Sequence, residues 1–338
     1  KIFFLCSHKE SVLPFDIFAA SFYMLTRYEE YLAFETDEIG RFPARESLAY
    51  KNNFLTSPVV DYWVLFLKKI LNKKFPSLVF KAHKFQFINT IDVDNAFAYL
   101  EKGSLRTLVS LFKKLFRLQF KNIKEQCQVL FFGEKDPYDT YDSILSIHNK
   151  YNLKTFIFFL LSDYDYYDRN VNSNNKRLHE IIKQVSETCE VGIHASFGSV
   201  AKPSKLNIEI KRLREILSKT ITHNRQHYIH IKFPNNYRNL IKNGIRHDYS
   251  MGFPSHPGFR AGTSYPFKFF DLQSNLVTNL VIHPFAVMDV AFKDYMNLNE
   301  VESVEIIKKI INKIKEVDGE FISIWHNESL CFSGRWKQ

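Results

Sequence analysis

Residues 88–95 read Ile88-Asn89-Thr90-Ile91-Asp92-Val93-Asp94-Asn95, a short apolar, β-rich run that stops at two carboxylates one residue apart. A strand that runs into a loop is where an α/β protein places its chemistry, because the rigid sheet fixes side chains that the loop exposes. Two carboxylates at such an end suit a metal ligand beside a general base. Asp-x-Asp also occurs in turns and caps, and as a metal clamp in nucleotide-sugar transferases, so its meaning depends on what else reaches the same rim.

Working outward from this run, strands alternate with helices, which argues for a parallel sheet or barrel. The strand candidates are 85–90, 155–161, 189–193, 227–231, 280–282 and 321–325. Helical stretches lie between several of them, at 141–150, 176–186, 204–217, 236–243 and 301–315. Upstream the pattern differs. Phe15, Phe18, Phe22, Leu25 and Tyr28 recur at helical spacing across 13–32, with Asp16 near the start, where a carboxylate suits exposed backbone amides. The run 59–71 repeats the pattern with Trp63, Phe66, Leu67 and Ile70. With a short strand at 1–5, these form a small, mainly helical module. The expected division is an accessory module at 1–82 and an α/β domain at 83–338, the count of elements suiting a (β/α) barrel of about 250 residues.

With 338 residues, 45% hydrophobic and 24% charged, the chain falls in the ordinary globular class. No apolar run approaches the roughly 18 residues needed to cross a bilayer. The chain opens on Lys1 instead of Met, so the expectation is that an N-terminal segment, and any targeting signal in it, has been lost. Cys6, Cys127, Cys189 and Cys331 lie far apart with no Cys-x-x-Cys pair, as expected of reduced thiols in a cytoplasmic protein. The net charge of +10 suits acidic partners, but the chain is also crowded with Lys, Asn and Ile, a bias that explains the charge without function. No nucleic-acid partner is expected.

One segment interrupts the rhythm. Residues 104–124 carry Leu105, Leu108, Leu111, Phe112, Leu115 and Phe116 on one side, and Arg106, Lys113, Lys114, Arg117, Lys121 and Lys124 elsewhere. Such a helix can lie peripherally on an anionic membrane. The expectation is the commoner arrangement, in which it docks on its own protein with lysines facing water.

Four further features fall at strand ends. His194 follows Val191-Gly192-Ile193 and, beside an Asp from another strand, gives the N/O donor set that suits Zn²⁺ or a similar divalent ion. Arg225-Gln226-His227-Tyr228 offers a cation, a second imidazole and a phenol. Gly258-Phe259-Arg260-Ala261-Gly262 is a glycine-flanked loop that brings another guanidinium toward a ligand, and Ile324-Trp325-His326 ends a strand near the C-terminus. Each has a plain structural counterpart: turn caps for the aspartates, a core histidine for His194, ion-pairing staples for Arg225 and Arg260, packing for His326.

In this order the segments resemble the polysaccharide deacetylase family, the NodB-like carbohydrate esterases, in a divergent bacterial branch with an extra N-terminal module. The resemblance covers 84–338 and implies a distorted (β/α) barrel. Thr90-Ile91-Asp92-Val93-Asp94 is similar to the family's Thr-Phe-Asp-Asp motif with one residue inserted, which makes Asp92 the base and Asp94 a metal ligand. His194 matches the first histidine of His-x-x-x-His. Arg225 and Tyr228 fit Arg-x-x-Tyr, with Arg225 orienting Asp92, and Ile324-Trp325-His326 fits the strand that ends in the catalytic acid. Tyr228, Arg260 and Trp325 are the expected substrate contacts. The implied cofactor is a divalent ion, Zn first and Co or Ni after it, and the implied partner is a bacterial cell-surface polysaccharide or its precursor. The departure is Gly198, which stands where the second motif histidine belongs and cannot bind metal. His227 is the leading substitute, ahead of His230, His256 and His283. Two other readings remain: a deacetylase fold that has lost catalysis and serves as a glycan-binding or scaffold protein, and, last, a glycosyltransferase using Asp92 and Asp94.

Overall fold

The structure, a computed structural model, describes residues 3–6, 11–331 and 336. In chain order the helices are α1 (Ile17–Leu25), α2 (Leu48–Lys51), α3 (Val59–Lys74), α4 (Ser104–Phe116), α5 (Phe120–Phe131), α6 (Tyr141–Tyr151), α7 (Lys176–Val185), α8 (Gly198–Ala201), α9 (Pro203–Leu217), α10 (Asn235–Lys242) and α11 (Glu300–Glu316). The strands are β1 (Gln86–Val93), β2 (Lys154–Phe159), β3 (Glu190–Ala195), β4 (His223–Gln226), β5 (His247–Asp248), β6 (Phe267–Asp271), β7 (Leu276–Ile282), β8 (Val287–Met288) and β9 (Glu320–His326). The fold is α/β, a central sheet with helices.

The chain divides into two compact units, residues 1–88 with 222–324 and residues 89–221 with 325–338. In the first, the strands run β6-β7-β5-β4, with β4/β5 and β5/β7 parallel and β6/β7 antiparallel, and β8 lies parallel to β9 with Val287 opposite Ser323. Asp16 caps α1 by accepting the N–H groups of Phe18 and Ala19, and the α1–α3 face buries Phe15, Met24, Val60 and Trp63 together. This helical layer fastens the 258–264 loop. Asp61 accepts from Thr263 and Ser264, and Phe259 N–H donates to the Leu55 carbonyl. Gly258 has φ +137°, and a Cβ there would stand 2.5 Å from the Leu55 oxygen, so only glycine fits so close a backbone.

In the second unit β3-β2-β1 are neighbours, with β2 and β3 parallel and Phe158 opposite Gly192. β2 is buried along almost its whole length, Phe156, Ile157, Phe158 and Phe159 forming the continuous apolar run of a strand covered on both faces. α7 and α9 turn Leu178, Ile182, Val185 and Leu213 inward.

Most expected elements appear within a few residues of their predicted ends, and the differences have physical causes. The strand expected at 1–5 is a single bridge from Leu5 to Phe15; residues 1 and 2 lie outside the described residues. The helix expected over 13–32 stops at Leu25, and Arg27 turns the chain at φ +55°. That expected over 104–124 breaks into α4 and α5 at Leu118, φ +53°. The strand expected at 227–231 lies earlier, at β4, because Tyr228 and Ile229 both take left-handed backbone and end it. No helix among the described residues is long and apolar enough to cross a membrane, and no disulfide joins the four cysteines.

Candidate functional site

Three strand ends of the second unit bring four of the expected side chains together. β1 continues past Thr90, so Asp92 is a strand residue, 1% exposed, and Asp94 follows just beyond the end with its side chain one-third exposed. β3 delivers His194, 1% exposed, and β9 delivers His326, 6% exposed. His194 Nε2 stands 3.1 Å from Asp94 Oδ1 and 3.9 Å from Asp92 Oδ2, while His326 Nε2 stands 3.9 Å from Asp94 Oδ2. The ring of His326 also accepts the Ser329 backbone N–H. A neutral imidazole that accepts at one nitrogen carries its proton on the other.

The turn after His194 is clamped by two buried carboxylates. Glu209 accepts the Ser196 N–H at 3.0 Å, and Asp168 accepts the N–H groups of Phe197 and Gly198 at 2.8 and 3.0 Å. Burial pushes the Glu209 carboxyl up to about 7, with the hydrogen bonds from Ser196 pulling the other way. A Cβ built on Gly198 would lie 2.7 Å from Lys205 Nζ and 3.4 Å from Asp168 Oδ2. The space that a side chain at Gly198 would enter is therefore taken by an amine and a carboxylate.

Within the second unit Asp94 and His194 offer a carboxylate oxygen and an imidazole nitrogen 3.1 Å apart, and His227, the expected further donor, belongs to the first unit. A carboxylate oxygen beside an imidazole nitrogen is the mixed N/O donor type that suits zinc or a similar divalent ion. Of the other expected residues, Arg225 is fully buried on β4 with its guanidinium 5.4 Å from the Phe285 ring centre. Tyr228 is exposed, its ring tilted 48° to that of His227 at 4.4 Å, and its carbonyl accepts from Arg41. Trp325 is half-buried next to His326.

Arg260 is placed differently. Its guanidinium spends Nε and Nη2 on Glu30 at 2.8 and 2.5 Å and Nη1 on the Gly252 carbonyl, while its own carbonyl accepts from Arg27. Arg27 in turn binds Glu29 and Glu30. This describes the staple and not the substrate contact, because every face of the guanidinium is already used in a buried network. Sequence reasoning missed Asp168 and Glu209. Asp168 ends the tyrosine-rich run 163–168, which has no spacing that points to the turn after His194, and Glu209 was detectable only as the one acid on the inward side of an amphipathic helix.

Residues 1–76 match a family model described as a family of unknown function (DUF7033). No curated protein matches the chain. Solved structures to which it is similar include a Mycobacterium smegmatis protein assigned to the polysaccharide deacetylases, at 15% identity over 74% of this chain and 80% of that one, TM-score 0.48. Another is a polysaccharide deacetylase of Bacillus cereus, at 9% identity over 73% and 80%, TM-score 0.36. A third is a CE4-family pseudoenzyme of Bacillus anthracis, at 12% identity over 73% and 56%, TM-score 0.35.

Proposed function

We propose that the chain is a metal-dependent deacetylase that removes acetyl groups from a bacterial polysaccharide or its precursor. The observation that carries this reading is the convergence of Asp92, Asp94, His194 and His326 at the strand ends of the second unit, to which we add His227 as the further ligand. Around it we place a distorted (β/α) barrel at 83–338 and an accessory module at 1–82. A divalent ion in this donor set, zinc by ligand type, supplies Lewis-acid polarisation of the acetyl carbonyl and a lowered pKa for water.

The chain's own residues divide the remaining work. Asp92, buried and close to His194, takes the proton from the attacking water. Arg225 favours and orients the ionised form of that base, since a nearby cation stabilises a carboxylate. His326, in its imidazolium form, gives a proton to the departing amine, which must not leave as an anion, and returns to neutral imidazole. Tyr228 and Trp325 flank His227 and His326 in sequence and present aromatic faces to the sugar.

A second reading is a deacetylase fold without catalysis, acting as a glycan-binding or scaffold module. Gly198 in the place of a motif histidine favours it. Metal analysis of the purified protein separates the two: stoichiometric Zn²⁺ that disappears in Asp94→Ala, with acetate released from acetylated glycans, supports the enzyme. Absence of metal at saturating Zn²⁺ together with no acetate release moves the assignment to the binding module.

A further inference from the structure

α4 is built inside out. Leu105, Leu108, Val109, Phe112, Leu115 and Phe116 fall on one face, and their exposure runs from 44% to 86%; the helix buries no residue at all. Its polar side faces the protein. Arg106 donates to the Lys102 carbonyl and sits 4.4 Å over the Tyr164 ring, while Ser110 and Lys114 both bond the Gln126 side chain of α5. A surface helix normally turns its apolar stripe inward, so the arrangement expected for this segment is reversed. Leu118, Phe120, Phe131 and Phe132 extend the exposed apolar surface at 62% to 79%. So much bare apolar surface marks an interaction site.

The charge beside it selects the partner. From Lys102 to Lys124 the chain carries seven cations and no carboxylate. A cleft of about 520 Å³ next to α4 is lined by Lys102, Arg106, Lys113, Lys114, Arg117 and Arg169, again with no acid. A second copy of the chain is a poor occupant, because a two-fold contact through this face sets Lys113, Arg117 and Lys121 against their own copies. Apolar side chains rimmed by lysine and arginine fit a bilayer with anionic headgroups.

We propose that α4 and α5 dock the protein on an anionic membrane surface, with the apolar stripe entering the headgroup boundary and the exposed cations Lys113, Arg117 and Lys121 receiving lipid phosphates. The site so held acts on substrate that is itself at the membrane. The test is sedimentation of the full chain with phosphatidylcholine vesicles and with vesicles that also contain phosphatidylglycerol. Wild type is expected to bind the second kind only, and less as salt is added. Phe112→Asp, at a residue too exposed to matter for folding, should lower the bound fraction about tenfold or more, as should Lys113→Glu with Arg117→Glu. Phe112→Ser serves as a milder control, and Zn²⁺ content should stay as in wild type. The proposal is overturned by equal binding to both vesicle types, by full binding of Phe112→Asp, or by a dimer in light scattering that Phe112→Asp dissociates while vesicles bind nothing.

Discussion

Replacing Glu209 by glutamine tests whether the turn after His194 depends on a protonated buried acid. The carboxyl is 1% exposed, accepts the Ser196 N–H at 3.0 Å, and is pushed by burial from the ordinary 4.5 to about 7. Since the folded-state value lies above the unfolded one, the folded protein holds this proton more tightly. The resulting stability is present in full below pH 4.5 and is lost as pH rises through about 7. That displacement corresponds to about 3 kcal/mol. Glutamine keeps an acceptor for Ser196 and does not titrate. Urea unfolding of both proteins from pH 4.5 to 7.5 should therefore show wild type losing about 3 kcal/mol relative to Glu209→Gln across this window. His230, lowered to about 4 chiefly by burial, acts in the opposite sense, its contribution present above 6.5 and lost as pH falls through about 4. It is common to both proteins and cancels in the difference. Curves that stay parallel within about 0.5 kcal/mol refute the argument.

Other predictions follow from the same geometry. His194→Ala should weaken Zn²⁺ binding by more than about 100-fold in a chelator competition, since even a neighbour of a ligand is commonly worth 10–100-fold; unchanged affinity removes His194 from the ligand set. His326→Ala should lower kcat for acetate release by about 10²–10⁴ while Zn²⁺ stoichiometry stays as in wild type; unchanged turnover in an active preparation rules it out as the acid. Glu30→Ala should cost about 3–5 kcal/mol in urea unfolding, because it strands the buried guanidinium groups of Arg27 and Arg260; a loss under about 1 kcal/mol would mean the network relaxes or hydrates.

How much of this was legible in the sequence varies with what each residue buries. Helices such as α3, α7 and α11 and strands such as β2 and β9 were visible because they bury apolar side chains at a regular spacing. β4 was not, since its residues Asn224, Arg225 and Gln226 are polar and almost wholly buried, Asn224 donating to Asp248 of β5 and the Gln226 N–H to Ser250 just beyond it. A reading of hydrophobicity passes over such a strand and settles on Tyr228, Ile229 and Ile231 just beyond it. The break at Leu118 and the reversal of α4 were invisible for another reason. Periodicity identifies an apolar face but not the direction in which it points. Asp92, Asp94, His194 and His326 were legible because each ends an apolar run, and β1, β3 and β9 bring those ends within hydrogen-bonding range or nearly so.

The absence of a ligand at Gly198 and the proposed replacement at His227 are read in different ways. A pair four residues apart on one turn is a local pattern, so its absence shows in the sequence. A replacement from another strand leaves no spacing to recognise. If the chain had merely lost a histidine, the direction of its missing side chain would be open, and restoring the residue would restore the ligand. Instead a Cβ at Gly198 points to Lys205 Nζ at 2.7 Å and Asp168 Oδ2 at 3.4 Å, and Asp168 also holds the backbone N–H there. An imidazole entering this corner meets a carboxylate partner and an ammonium group. Lys205 can swing aside, so Gly198→His should fold, but its ring should pair with Asp168 and leave the ion position alone. His227→Ala is therefore expected to lose Zn²⁺ affinity, His256→Ala to keep it, and the double variant Gly198→His/His227→Ala to bind no better than His227→Ala. Recovery of affinity in the double variant would show that the motif position still reaches the ion, and the case for a rebuilt ligand set would fail.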